Sequence, residues 1–373
     1  MHIGVNTLFL IPGEVGGSET YLCRTLEAVA SGFPAHEITL FTNSENHAEM
    51  KSRFGKYPQV SFQQMLCKAS RRFERIIKEQ LLLPRMARKT GVDVLWSPGY
   101  TACMFSPVPQ VVSILDMQYK SFPEDLTHLA RFVTDVLVRM AARRCRGILT
   151  ISEFSKQEIL KYTSARADNV WVTHLASHPF QTSSGLNPAG NKPYILTVAN
   201  SYPHKNLHQL VEAFALLENR IPHNLVIVGR PRLGENRLQQ ALSGIKDTER
   251  IVRLSGVSTE VLDRLYADAA VFVFPSLYEG FGLPILEAMS AGTPVITTGS
   301  GSLPEAGGDA AIYYNPASAA NLADQISSVL AMYPAQREEI IRRGRYQAQQ
   351  FSWLATAEKT LDVFRSITGE IEK

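Results

Sequence analysis

At 373 residues the chain exceeds the about 250–300 residues at which single hydrophobic cores stop growing, so two domains are expected. With 45% hydrophobic residues, 20% charged residues and a formal net charge of +3, the composition excludes disordered and fibrous classes. The four scattered cysteines, Cys23, Cys67, Cys103 and Cys145, form no CxxC pair, which argues against a zinc site or a disulfide framework and for a reducing, cytoplasmic setting.

In chain order, short apolar runs alternate with amphipathic stretches, the pattern of doubly wound parallel-sheet α/β domains. The N-terminal run lacks a basic leader and cleavage signature and reads as a strand, and no apolar run is long enough to span a bilayer. The first series predicts strands at His2–Leu10, His36–Thr42, Val60–Gln64, Val92–Ser97, Gln110–Leu115, Gly147–Ile151 and Val170–Leu175. After the first of these, Pro12–Thr20 (PGEVGGSET) leads into a helix. Gly16 and Gly17 there allow close backbone approach to a ligand, and Glu19 falls in the first helical turn, although a plain tight turn fits the glycines equally.

Charge is uneven. Residues 1–180 carry five more basic than acidic residues and residues 181–373 two fewer, and most of the excess lies between Lys51 and Lys89. Lys68–Lys89 places Phe73, Ile76, Ile77, Leu81 and Leu82 among basic residues at near-helical spacing. That pattern fits either a helix peripheral on anionic membrane or a solvated surface helix. The patch lacks interleaved aromatic platforms, so a nucleic-acid partner is not expected.

Ser177–Pro193, rich in Ser, Gly, Pro and Asn, reads as a hinge and sets the domains at 1–180 and 181–355. The second strand series is expected at Tyr194–Ala199, Asn224–Gly229, Ile251–Ser255, Ala270–Pro275, Val295–Thr298 and Ala311–Tyr314. The loop after its first strand delivers Lys205 to a strand end, where an ammonium is able to neutralise a diphosphate; the next loop offers Arg230 in the same way. The strongest signal is Glu279–Glu287 (EGFGLPILE), which follows the buried-strand pattern of Ala270–Ser276 and places Pro284 in a helical first turn. Backbone N–H groups near Gly280, Phe281, Gly282 and Leu283 then sit at a helix N-terminus, which favours an anion. Carboxylates accept from paired hydroxyls, so Glu287 suits a ribose and Glu279 a sugar; taken singly, each also fits a solvated loop or first-turn acid.

Glu279–Glu287, with Ser302–Glu305 (SLPE) and Gly308–Ala311 (GDAA), resembles the signature of retaining glycosyltransferases of the GT-B fold, family 4. The resemblance implies two Rossmann-like domains facing across a cleft, with residues 356–373 forming a helix that crosses back to the first. It further implies that Gly16, Gly17 and Glu19 face donor phosphates and acceptor, that Lys205, Glu279 and Glu287 serve the donor, and that Gly256 and Val257 hold the base. The chain departs from the family at two positions. Leu115 stands where many relatives have a histidine, leaving Asp116 and Gln118 on the acceptor side, with Asp116 orienting or deprotonating a hydroxyl unless it only caps the following turn. Ala199 stands where an arginine is common, leaving Arg230 or His204 as the second phosphate cation.

The expected activity is hexosyl transfer, with retention, from a GDP-mannose or UDP-glucose type donor to a glycan, lipid-linked sugar or small hydroxyl acceptor, in surface polysaccharide or glycolipid synthesis. No DxD triplet occurs, and a donor site built on cations and a helix end implies no metal requirement. A sugar-nucleotide epimerase or hydrolase of the same fold, or a silent glycan-binding assembly protein, is the alternative.

Overall fold

The computed structural model describes residues 1–178, 180, 188–190 and 192–369, so most of the expected hinge lies outside the described residues. The chain divides into two compact units. Met1–Leu175 joins the segment from Ser352 onward, and Ala176–Phe351 forms the other.

The first unit holds seven strands: β1 (His2–Asn6), β2 (Glu37–Thr42), β3 (Val60–Gln64), β4 (Val94–Ser97), β5 (Gln110–Ser113), β6 (Gly147–Thr150) and β7 (Val170–Val172). They form one parallel sheet in the order β3-β2-β1-β4-β5-β6-β7. Every expected strand is present, several of them shorter. The first stops at Asn6 because the backbone turns, Leu10 N–H donating to the Thr7 carbonyl at 3.1 Å, while Leu8 and Leu10 remain buried. Apolar residues that fill a core from a loop look like strand in the sequence.

Trp96 on β4 centres this unit's core. Its indole N–H donates to Ser113 Oγ at 2.8 Å, and its ring meets Tyr21 edge-on at 6.0 Å and Phe364 at 5.9 Å. Phe364 comes from the last helix, Trp353–Thr368, which packs against helix Gly17–Gly32. That helix buries Ala357, Leu361, Val363 and Phe364 on one stripe, and Arg146 donates to the Ile367 carbonyl at 3.2 Å. The C-terminal segment is therefore part of the first unit.

The second unit holds β8 (Tyr194–Val198), β9 (Asn224–Val228), β10 (Ile251–Leu254), β11 (Val271–Phe274), β12 (Val295–Thr298) and β13 (Ile312–Tyr314), parallel in the order β10-β9-β8-β11-β12-β13. Near-continuous Val, Ile, Leu and Phe, buried on both faces, mark the central strands. Each sheet has a switch point in its strand order, between β1 and β4 and between β8 and β11, the kind of place at which open parallel sheets bind ligands. Sheet order alone thus brings the β8 and β11 loops together. Where the β8 and β9 loops meet, a Cβ on Gly229 would lie 2.1 Å from the Ala199 carbonyl oxygen, so only glycine fits.

Candidate functional site

The β11 chain ends at Phe274, runs through a loop, and restarts as helix Leu283–Ala291. Gly282 takes φ 106° to make that turn, and a Cβ there would press within 3.0 Å of Leu303. No side chain caps the helix start, so its first-turn N–H groups are presented by backbone alone. Pro284 sits in that first turn, one residue after the start. Phe281 is buried and meets Phe351 edge-on at 5.4 Å, pinning the loop, and Ser302 Oγ donates to the Glu279 carbonyl at 2.8 Å.

At this turn Lys205 and Glu279, 74 residues apart in sequence, are in contact. Lys205 Nζ donates to Glu279 Oε1 at 2.5 Å, with both side chains under 20% exposed. Lys205 ends a single 3-10 turn, Pro203–Lys205, and the chain enters helix Leu207–Leu217 through Asn206 at φ 54°. Its ammonium also lies 5.7 Å from the Phe274 ring centroid. Leu277 N–H donates to the His204 carbonyl at 2.8 Å, tying the β8 and β11 loops by backbone.

Glu287, in the second turn of helix Leu283–Ala291, is held by partners the sequence did not signal. Tyr266 OH donates to its Oε2 at 2.8 Å, and burial pushes the Tyr266 phenol well above its usual value, keeping it a neutral donor. His178 Nδ1 lies 3.9 Å from Glu287 Oε1, while its Nε2 contacts Asp263 Oδ1 at 2.6 Å and its ring stacks on Phe180. Tyr266 and Asp263 belong to helix Thr259–Asp268, which precedes β11, and meet Glu287 only through the fold.

Other expected site residues fall at the same strand ends. Gly256 takes φ 65° after β10, and a Cβ on it would meet nothing within 4 Å; Val257 beside it is half-buried. Arg230 is exposed, and its backbone N–H donates to Asn200 Oδ1 at 2.8 Å. His204 is a correction to the expectation of a second cation: it is 1% exposed, stacked on Tyr202, and burial drives its pKa down to about 3, so it is neutral.

The acid of the β9 loop has a structural role. Glu235 takes a forked pair of hydrogen bonds from Arg253, at 2.6 and 3.1 Å, and one from Ser201 Oγ at 2.7 Å. The Arg253 bonds, foremost, pull its carboxyl from 4.5 to about 2. A folded pKa below the unfolded one stabilises above the unfolded value and is lost as pH falls through the folded one. The stability gap between the parent and Glu235→Gln, read from urea unfolding, is therefore expected to be full above about pH 4.5 and to shrink toward about pH 2.

In the first unit, Gly16 (φ 58°) precedes helix Gly17–Gly32, whose start no side chain caps. Glu19 Oε2 accepts from Gly13 N–H at 2.9 Å, closing the loop on itself, and burial raises its carboxyl. Asp116 Oδ2 accepts from Tyr100 OH at 2.9 Å and its Oδ1 from Gln118 N–H at 3.0 Å. Asp116 Oδ1 thus closes a local turn onto Gln118, while Met117 holds the N-cap position of helix Gln118–Ser121 with no side-chain cap, and Tyr100, at φ 67°, is a partner the sequence did not reveal. Leu115 is buried. Among the described residues no group of three or more His, Cys, Asp or Glu is arranged to hold a metal ion, and no helix is long and apolar enough to cross a membrane.

Residues 15–176 match the family model described as Glycosyltransferase Family 4, and residues 181–347 the model described as Glycosyl transferases group 1. The chain is 36% identical over 235 residues to O-antigen chain mannosyltransferase B of Escherichia coli, covering 58% of this chain and 60% of that protein. It is 29% identical to O-antigen chain mannosyltransferase RfbU of Salmonella typhimurium, covering 56% and 57%. It is 31% identical to an MMP alpha-(1->4)-mannosyltransferase of Mycolicibacterium hassiacum, covering 62% and 57%. The matched region thus spans somewhat over half the length of each of these relatives. Among solved structures, sucrose-phosphate synthase of Thermosynechococcus elongatus superposes over both whole chains with a TM-score of 0.77 at 18% identity. Anabaena HepE in complex with UDP-glucose superposes at 0.75 and 18% identity, over 98% of this chain and all of that one, which fixes the fold.

Proposed function

We propose that this chain, which belongs to the family 4 glycosyltransferases of the GT-B fold, transfers a mannosyl group from a nucleoside diphosphate mannose to a hydroxyl of a growing surface polysaccharide or lipid-linked glycan. The observation that carries the reading is the Lys205–Glu279 contact in the loops leading to the start of helix Leu283–Ala291, which no side chain caps, with Glu287 one turn further in. A cation, a backbone N–H cluster and two carboxylates at one sheet switch point suit a diphosphate flanked by two sugars. The O-antigen mannosyltransferases among its relatives support mannose as the transferred group and a polysaccharide acceptor.

In this reading Lys205 turns from Glu279 to the leaving diphosphate, and Glu279 accepts from hydroxyls of the transferred sugar. Glu287 takes the ribose diol, Gly256 and Val257 offer main-chain groups to the base, and Arg230 is the second cation. The bond from the anomeric carbon to the diphosphate oxygen breaks, the acceptor oxygen bonds on the same face, and the acceptor proton passes to the departing diphosphate. Gly16 and Gly17 serve the donor phosphates, while Glu19, Asp116 and Gln118 serve the acceptor. No metal takes part, because Lys205 and the helix end carry the growing charge.

A panel of GDP- and UDP-sugars, with lipid-linked mannosyl acceptors, scored for released nucleoside diphosphate and an enlarged glycan, tests the proposal. GDP-mannose is expected to give acceptor-dependent release that EDTA leaves unchanged. Isomerised donor with no acceptor requirement, or EDTA inhibition reversed by magnesium, overturns the corresponding part.

A further inference from the structure

We propose that the first unit carries a docking surface for an anionic lipid bilayer, built from the outer faces of helices Arg72–Leu81 and His128–Arg144 and the loop at Phe105. Helix Arg72–Leu81 is inverted relative to an ordinary surface helix. Its charged residues Arg75 and Glu79 are 8% and 2% exposed, while Phe73, Ile77 and Leu81, at i, i+4 and i+8, are 65%, 59% and 56% exposed. The inversion has a local cause. Glu79 Oε1 accepts from Asn6 at 2.8 Å and from Thr101 at 3.3 Å, with Arg75 supplying the countercharge, and burial raises the Glu79 carboxyl. Anchoring the polar pair inward turns the apolar stripe to solvent.

A second stripe continues it. On helix His128–Arg144, Leu129 and Phe132 are 63% and 67% exposed, and Phe105 is 69% exposed. The three segments adjoin. Arg72 donates to Thr134 at 2.8 Å, Gln80 joins Ala102 and Met104 at 3.0 and 2.7 Å, and the Arg144 guanidinium lies 5.4 Å from the Phe105 ring centroid. An apolar patch of this kind, rimmed by charge, marks an interaction surface.

The rim chooses the occupant. Arg71, Arg72, Arg85 and Arg144 are exposed, and two acids beside them are outnumbered by their basic partners: Glu74 pairs with Lys78 at 2.6 Å and with Arg71 at 3.5 Å, and Asp135 with Lys120 at 2.5 Å and Arg139 at 3.0 Å. A second copy would set arginines against arginines, while anionic headgroups complement them and acyl chains take the aromatic and aliphatic residues. Long basic side chains also reach a headgroup layer while their stems stay on apolar surface.

Flotation of the full chain with vesicles of phosphatidylcholine alone, and of phosphatidylcholine containing about a third phosphatidylglycerol, tests the surface. Binding is expected only with the anionic vesicles. Arg71→Ala and Arg85→Ala are each expected to lower the partition coefficient about fivefold. Phe73→Ser with Phe132→Ser is expected to lower it about tenfold or more, with far-UV circular dichroism unchanged because both side chains are exposed. Absence of binding, binding indifferent to the Phe73→Ser/Phe132→Ser pair, or a dimer in sedimentation that this pair dissolves would overturn the proposal. Flotation reads no transfer, so its failure is separate from failure of the mannosyl-transfer reading.

Discussion

Lys205→Ala is expected to lower kcat/KM for donor transfer about 10²–10³-fold, the range typical of removing one group that stabilises transition-state charge. In the structure this ammonium is already desolvated, under 20% exposed and 2.5 Å from Glu279, so it stands ready to meet an anion with little reorganisation. Because the two side chains pair, their effects are expected to couple. Lys205→Ala/Glu279→Gln should lose much less than the product of the single losses, since each single variant leaves the other partner's role already compromised. Steady-state kinetics with GDP-mannose, paired with thermal unfolding of each variant, separates this from a folding defect. A Lys205→Ala protein with near-parent turnover would remove the diphosphate from this turn.

Glu287→Ala is expected to weaken binding about tenfold to a hundredfold, mainly as a rise in donor KM and an equal rise in the Kd of free GDP by titration calorimetry, because the ribose is shared by donor and product. Leaving buried hydroxyl partners unpaired accounts for a loss of that size. Tyr266→Phe deletes the 2.8 Å bond that fixes the carboxylate, and a smaller loss of about three- to tenfold is expected, with kcat little changed. The graded pair distinguishes contact from positioning. Equal losses in kcat for both variants, with GDP affinity intact, would place Glu287 away from the ribose.

The strand series was readable because parallel sheets buried on both faces need continuous β-branched and aromatic runs, and VFVF at Val271–Phe274 is such a run. Helix Leu283–Ala291 was readable for the same kind of local reason: Gly282 and Pro284 are demanded by backbone conformation within a few residues. What misled was also local. His204 has a basic side chain at a strand end, and only its burial, invisible in a run of letters, makes it neutral. The basic segment around Lys68–Lys89 gave two equal readings, because spacing shows that a helix has two faces and not which of them turns inward. Asn6 and Thr101, far apart in sequence, decide that by binding Glu79.

The sequence by itself therefore determined the alternation of strand and helix, the doubly wound class, and the glycine turns at the strand ends, since each depends on periodicity and φ over a few residues. Tertiary structure alone decided that Lys205 meets Glu279, that Tyr266 holds Glu287 and that Tyr100 holds Asp116. Those contacts follow from strand order. A sheet that places β8 beside β11 brings together loops 74 residues apart, and no local propensity encodes that distance.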